Sequence, residues 1–138
     1  MKYKLLALDL DETLLNTEHK ISPRNAAALR RAVERGMMVT IATGRMFSST
    51  LPYARELQID LPLITYHGAL IKRAGGEVLR HSPLPFARAL EILRLGAEEG
   101  LHLQMYLDDR LYTQEENEYT RYYQQIASVP LIKVGDLP

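Results

Sequence analysis

The apolar positions of this chain fall into two textures. "YKLLALDL", Tyr3 to Leu10, is an almost continuous apolar run, as expected of a strand buried on both faces of a parallel sheet. "ISPRNAAALRRAVERG" then shifts to helical spacing, with Ser22 as its cap, Pro23 at its first position and Gly36 as its stop. Ala26, Leu29, Ala32 and Val33 form its predicted buried stripe. Met37 to Ala42 reads as a second buried strand, so strand, helix and strand make a βαβ unit with a right-handed crossover. A helix is expected within Ser48–Ile59, with Pro52 confined to its first turn. "LPLITYHGALI" supplies a third strand ending near His67-Gly68, and Gly68 to Ser82 a hairpin turning at Gly75-Gly76.

After Ser82 the texture changes. "PLPFARALEILRLGAEEG" is a helix with Ala87, Leu90, Leu93 and Ala97 on one face. "LHLQMYLDDRLYTQ" holds two alternating strands about Asp108-Asp109. A tyrosine-rich helix, "NEYTRYYQQIAS", and a short strand, "PLIKV", follow; Tyr119, Tyr122 and Tyr123 fit packing against a sheet. The first part has an α/β pattern and the second an α+β pattern. The expected division is residues 1–82, a Rossmann-like core, and residues 83–138, a separate α+β unit.

Composition narrows the function classes. The chain of 138 residues is 46% apolar and 25% charged, as in globular proteins with a sizeable core. Lys plus Arg and Asp plus Glu are equal at 17 each, which gives no electrostatic case for nucleic acid or an anionic membrane. There is no cysteine, hence no disulfide framework and no thiolate metal site. The first apolar run breaks at Asp9, too early for a signal-peptide core, and no apolar stretch nears the roughly 20 residues that span a bilayer. The expected location is the cytoplasm.

Candidate chemistry begins where the first strand ends. Asp9 and Asp11 leave it with period-two spacing, at the edge where open parallel sheets place their ligands. Acidic pairs at turns are mostly solvated or cap a helix; this pair could also bind a divalent cation or divide nucleophilic and acid–base duties. A calcium loop of the EF-hand type is excluded, because Leu14 falls where Gly is required and Lys20 where the bidentate Glu belongs. "TIATGR" puts Thr43, Gly44 and Arg45 at the end of the next strand. A hydroxyl, an unobstructed amide and a guanidinium suit a phosphate, although a plain strand-to-helix turn is the commoner reading.

Together these segments resemble the haloacid dehalogenase superfamily of phosphohydrolases. "ALDLDETLL" is similar to its first motif, "VTIATGR" to its second, and "LPLITYHGALI" to the third strand of its Cof-like sugar-phosphatase branch. That branch usually has Asn-Gly-Ala where this chain has His67-Gly68-Ala69, and it inserts an α+β cap where the texture changes here. The resemblance implies that Asp9 is the nucleophile and that Asp11 protonates the leaving alcohol and then activates water. It implies that Thr43 and the amides of Leu10 and Gly44 hold the phosphoryl oxygens. Mg2+ would be bound by the Asp9 carboxylate and the Asp11 carbonyl. Arg45 would either bind phosphate or brace the aspartate loop; His67 would either touch substrate or be a satisfied structural histidine. Thr13 would orient Asp9 or the turn by hydrogen bonding, and Glu12 replaces a more frequent Gly.

The same resemblance calls for a later lysine and a later acidic pair. Lys133 and Gly135-Asp136 do not match them and read as cap residues. The expectation is therefore the N-terminal portion of an enzyme: residues 1–82 as part of the core, 83–138 as an incomplete cap, and negligible turnover by residues 1–138 alone. An exposed apolar sheet edge would favour self-association. The implied activity is a magnesium-dependent phosphatase of small phosphorylated metabolites, sugar phosphates first. A non-catalytic phosphate-binding module and a phosphosugar mutase are the alternatives.

Overall fold

The structure, a computed structural model, describes residues 2–135. Asp136, expected to lie in a cap, falls outside the described residues. The chain divides into two compact units, residues 1–82 and 83–138.

In the first unit, β1 (Leu5–Leu8) pairs in parallel with β2 (Met38–Ile41), and α1 (Pro23–Glu34) connects them. Ser22 caps α1 by accepting from the Asn25 amide at 3.1 Å, Pro23 opens it, and Gly36 follows its end at φ +83°. α2 (Phe47–Glu56) leads from β2 to β3 (Leu63–Thr65), which joins β2 through a parallel bridge of Ala42 with Ile64. β4 (Leu70–Lys72) and β5 (Val78–His81) extend β3 antiparallel, with Gly76 at φ +104° in the turn between them.

Several expectations change. β1 stops at Leu8, because the chain kinks into a single turn, Leu10–Leu14, that carries Leu10 and Leu14 into the core. β1 is not buried on both faces: among the described residues it pairs with β2 alone, and Leu5 is 53% exposed. Val33 turns outward, so the inner face of α1 is Ala26, Leu29 and Ala32. Pro52 sits in the second turn of α2, where it removes one intrahelical bond without ending the helix. The Lys72 ammonium lies 4.5 Å from the Phe47 ring centre.

The core of this unit is formed by Leu10, Leu14, Leu15, Ile21, Val39, Ile41, Phe47, Ala54, Ile59 and Leu63. Leu15 and Ile21 belong to a small antiparallel loop that no periodicity announced. Its tip is tied by Asn16, whose Oδ1 accepts the amides of Glu18 and Lys20.

In the second unit, β6 (Gln104–Leu107) and β7 (Arg110–Thr113) form a hairpin, and β8 (Leu131–Lys133) adds parallel to β7 after α4 (Glu118–Ala127). Asp108 and Asp109 have φ of +49° and +59°, the mirror-image turn that matches strand twist. Asn117 and Thr120 form a reciprocal capping box on α4. α3 (Phe86–Glu98) buries Leu93 and Gly96 rather than Ala87 and Ala97. The reason is steric: Gly96 lets Leu103 approach so closely that a Cβ there would lie 2.3 Å from Leu103 Cδ1. Of the three tyrosines, only Tyr123 packs on the sheet, 6.1 Å from Tyr106; Tyr119 stacks on His102 and Tyr122 is exposed.

Candidate active site

The site is built by two loops that leave neighbouring strands at the same end. Leu8 lies opposite Ile41, and the Ala42 amide donates to the Leu8 carbonyl at 2.8 Å, so Asp9 and Thr43 emerge at one sheet edge. The fully buried Leu10 anchors the first loop. Asp9 is exposed and extended, and Asp11 is also extended. Glu12, at φ +55°, then turns the chain back, a conformation that glycine adopts without strain.

Asp11 is held by Arg45. Nε donates to Oδ2 at 2.7 Å and one terminal guanidinium nitrogen donates to Oδ1 at 2.6 Å, a two-pronged ion pair. The other terminal nitrogen donates to Ser49 Oγ at 3.3 Å, and the guanidinium carbon lies 5.5 Å from the Tyr53 ring centre. The Arg45 side chain is 5% exposed and that of Asp11 40%. The hydrogen bonds from Arg45 hold the Asp11 carboxyl below its ordinary value, against the opposing effect of partial burial. Burial works against the Arg45 charge, but the bonds to Asp11 outweigh it and raise its pKa further.

Of the two roles expected for Arg45, the geometry supports the brace. All three guanidinium nitrogens are engaged within the protein and the side chain is buried. Sequence reasoning missed its supports. Ser49 and Tyr53 stand four residues apart on α2, a spacing that was legible, but nothing in the sequence said they face Arg45. It also missed His19, whose Nδ1 lies 3.9 Å from Asp11 Oδ1 and whose carbonyl accepts from the Tyr53 hydroxyl at 2.9 Å.

In the second loop Thr43 is buried, and its backbone is fully used. Its amide donates to Ile64 O at 2.9 Å and its carbonyl accepts from the His67 amide at 3.2 Å. Thr43 Oγ1 accepts from the Arg45 amide at 3.2 Å, which leaves the hydroxyl proton as what it can give to a ligand. Gly44 lies against the His67 ring, with no room for a side chain. Among the described residues no group of three or more His, Asp or Glu side chains could hold a metal ion. No helix among them is long and apolar enough to cross a membrane.

The family model of the haloacid dehalogenase-like hydrolases matches residues 6–134, and the chain belongs to that family, with motifs that fit its Cof-like branch. It is 34% identical over 110 residues to the phosphatase YwpJ of Bacillus subtilis, covering 80% of this chain and 39% of that protein. It is 35% identical over 112 residues to the pyridoxal phosphate phosphatase YbhA of Escherichia coli, covering 80% and 41%. A haloacid dehalogenase-like hydrolase from Bacteroides thetaiotaomicron superimposes with a TM-score of 0.87 at 26% identity, over 97% of this chain and 52% of that one. The chain thus spans about half the length of the relatives it matches or less.

Proposed function

We propose that the protein is a phosphatase of small phosphorylated metabolites that works through an aspartyl-phosphate on Asp9, with magnesium as its cation. The observation that carries this reading is the β1/β2 register, which ends both strands together and brings the Asp9–Asp11 and Thr43–Gly44 loops to one sheet edge. Phosphoryl transfer is mostly positioning and charge neutralisation, and these loops offer both.

In the first step an Asp9 carboxylate oxygen bonds to phosphorus while the ester P–O bond breaks, and the departing alkoxide takes a proton from Asp11. In the second, water attacks phosphorus, the Asp9–phosphorus bond breaks, and Asp11 takes the water's proton as inorganic phosphate leaves. The Thr43 hydroxyl and the amides of Leu10 and Gly44 donate to the phosphoryl oxygens. Bound to Arg45, Asp11 is ionised and suited to the second step. For the first step it takes up a proton from solvent, which weakens the grip of Arg45 until that proton passes to the departing alkoxide.

Magnesium suits the donors present, because the Asp9 carboxylate and the Asp11 carbonyl are hard oxygens and Asp9 is exposed. When bound it supplies charge neutralisation between Asp9 and the phosphate. Residues 1–82 then form the catalytic part, and residues 83–138 belong to a specificity-bearing cap. The names of the relatives, among them a pyridoxal phosphate phosphatase, an HMP-PP phosphatase and a phosphoribitylaminouracil phosphatase, support a small phosphorylated substrate. Sugar phosphates are included because a structural neighbour at 25% identity is described as a sugar phosphatase.

The test is phosphate release from a panel of sugar and heterocyclic phosphates by the full-length protein, with and without Mg2+. Turnover that needs Mg2+ and vanishes in Asp9→Asn is expected. Turnover retained by Asp9→Asn overturns the nucleophile, and phosphate binding without turnover favours a module over an enzyme.

A further inference from the structure

The turn after β3 holds three consecutive residues in the left-handed region: Tyr66 at φ +50°, His67 at +53° and Gly68 at +92°. Two non-glycine residues in that conformation are strained, and such strain persists only where the surroundings impose it. Here they do. The Tyr66 amide donates to the Arg45 carbonyl at 3.0 Å and the His67 amide to the Thr43 carbonyl at 3.2 Å. The turn is therefore stitched to the two residues that flank Gly44. Its consequence is the position of the His67 ring: a Cβ on Gly44 would lie 2.3 Å from Cε1 and 2.5 Å from Nε2. The imidazole occupies the space that a side chain at position 44 would take.

A comparison within the chain tells what kind of histidine this is. His102 has both ring nitrogens engaged, by Asn117 at 2.9 Å and Gln104 at 3.1 Å, and it stacks on Tyr119. That is a satisfied structural histidine. His67 is exposed, and among the described residues neither of its ring nitrogens has a hydrogen-bond partner. An imidazole carries at least one N–H in its neutral and protonated forms alike. A strained turn thus fixes an open donor against the loop whose Gly44 amide is offered to phosphate.

We infer that His67 is a substrate-contacting residue, whose imidazole donates a hydrogen bond to an oxygen of the phosphate bound beside Gly44. The inference rests on the phosphate-binding reading above and adds a ligand to it. The test is a titration of the isotope-labelled full-length protein, with Mg2+ present, with inorganic phosphate at fixed pH, following the amides of Leu10 and Gly44 and the His67 ring signals. The wild type should show saturable shifts at all three. His67→Ala should weaken the Kd about 5- to 10-fold, the range for losing one ordinary solvent-exposed hydrogen bond. His67→Asn, which keeps an N–H donor, should recover part of it.

His67→Gly separates binding from folding, because glycine relieves the positive φ while removing the donor. It should unfold no more easily than the wild type and still bind phosphate about as weakly as His67→Ala. Equal affinity in wild type, His67→Ala and His67→Gly overturns the inference and leaves the phosphate site standing. No saturable shift at Leu10 and Gly44 in the wild type overturns both.

Discussion

Asp11→Asn and Arg45→Met should destabilise the first unit unequally, although they break the same ion pair. Arg45 is 5% exposed and donates twice to Asp11, at 2.7 and 2.6 Å, whereas Asp11 is 40% exposed. Removing the carboxylate charge strands a buried guanidinium. Breaking a fully buried pair costs about 3–5 kcal/mol, and partial access of water to this one lowers the figure to about 2–3 kcal/mol. Removing the guanidinium leaves a carboxylate that water can reach, and Met keeps much of the packing against Tyr53, so the loss should be about 1 kcal/mol. The double variant should sit near Arg45→Met, because the stranded charge is gone. Urea unfolding followed through amide resonances of residues in β1–β4 reads this unit apart from the other. With m near ~2 kcal/mol per M, Asp11→Asn should lower the midpoint by about 1 M and Arg45→Met by about half that. If Arg45→Met is the more damaging, Arg45 is there for packing, and the ion-pair argument fails.

The same pair sets a pH dependence. The folded Asp11 carboxyl titrates below its ordinary 3.8, so its stabilisation is present above that value and lost as pH falls through the lower folded one. The difference in urea midpoint between wild type and Asp11→Asn should be level from about pH 5 upward and shrink below about pH 4. A gap that widens in acid contradicts the sign. Glu12→Gly should stabilise the first unit by about 0.5–1 kcal/mol, because position 12 sits at φ +55°; a higher melting temperature in calorimetry of the two proteins checks it. Gly96→Ala should lose about 1–2 kcal/mol despite its better helix propensity, since the new methyl meets Leu103 at 2.3 Å. Leu103→Ala in the same chain should restore part of that loss.

Elements carried by local signals were legible beforehand. Ser22, Pro23 and Gly36 bound α1 because a cap, a fixed φ and a left-handed stop each act over one turn of chain. Asp108-Asp109 marks the β6–β7 turn for the same reason. The loop Leu15–Ile21 was invisible, because its hydrogen bonds come from one asparagine and its apolar ends are too few to show a period. Val33 and Ala97 lie on apolar faces by spacing and still point outward, since what packs opposite decides which part of an apolar arc is covered.

The division at the site is sharper. By itself the sequence determined the family, the chemical identity of Asp9, Asp11, Thr43 and Gly44, and their positions at strand ends, because motif and strand period are local properties. Only the tertiary structure decided that Arg45 grips Asp11, 34 residues away. It alone set the His67 ring on Gly44, through a strained turn tied to the neighbouring loop. Both depend on strand register and on which backbone carbonyls a turn can reach, and those are settled only when the strands lie side by side.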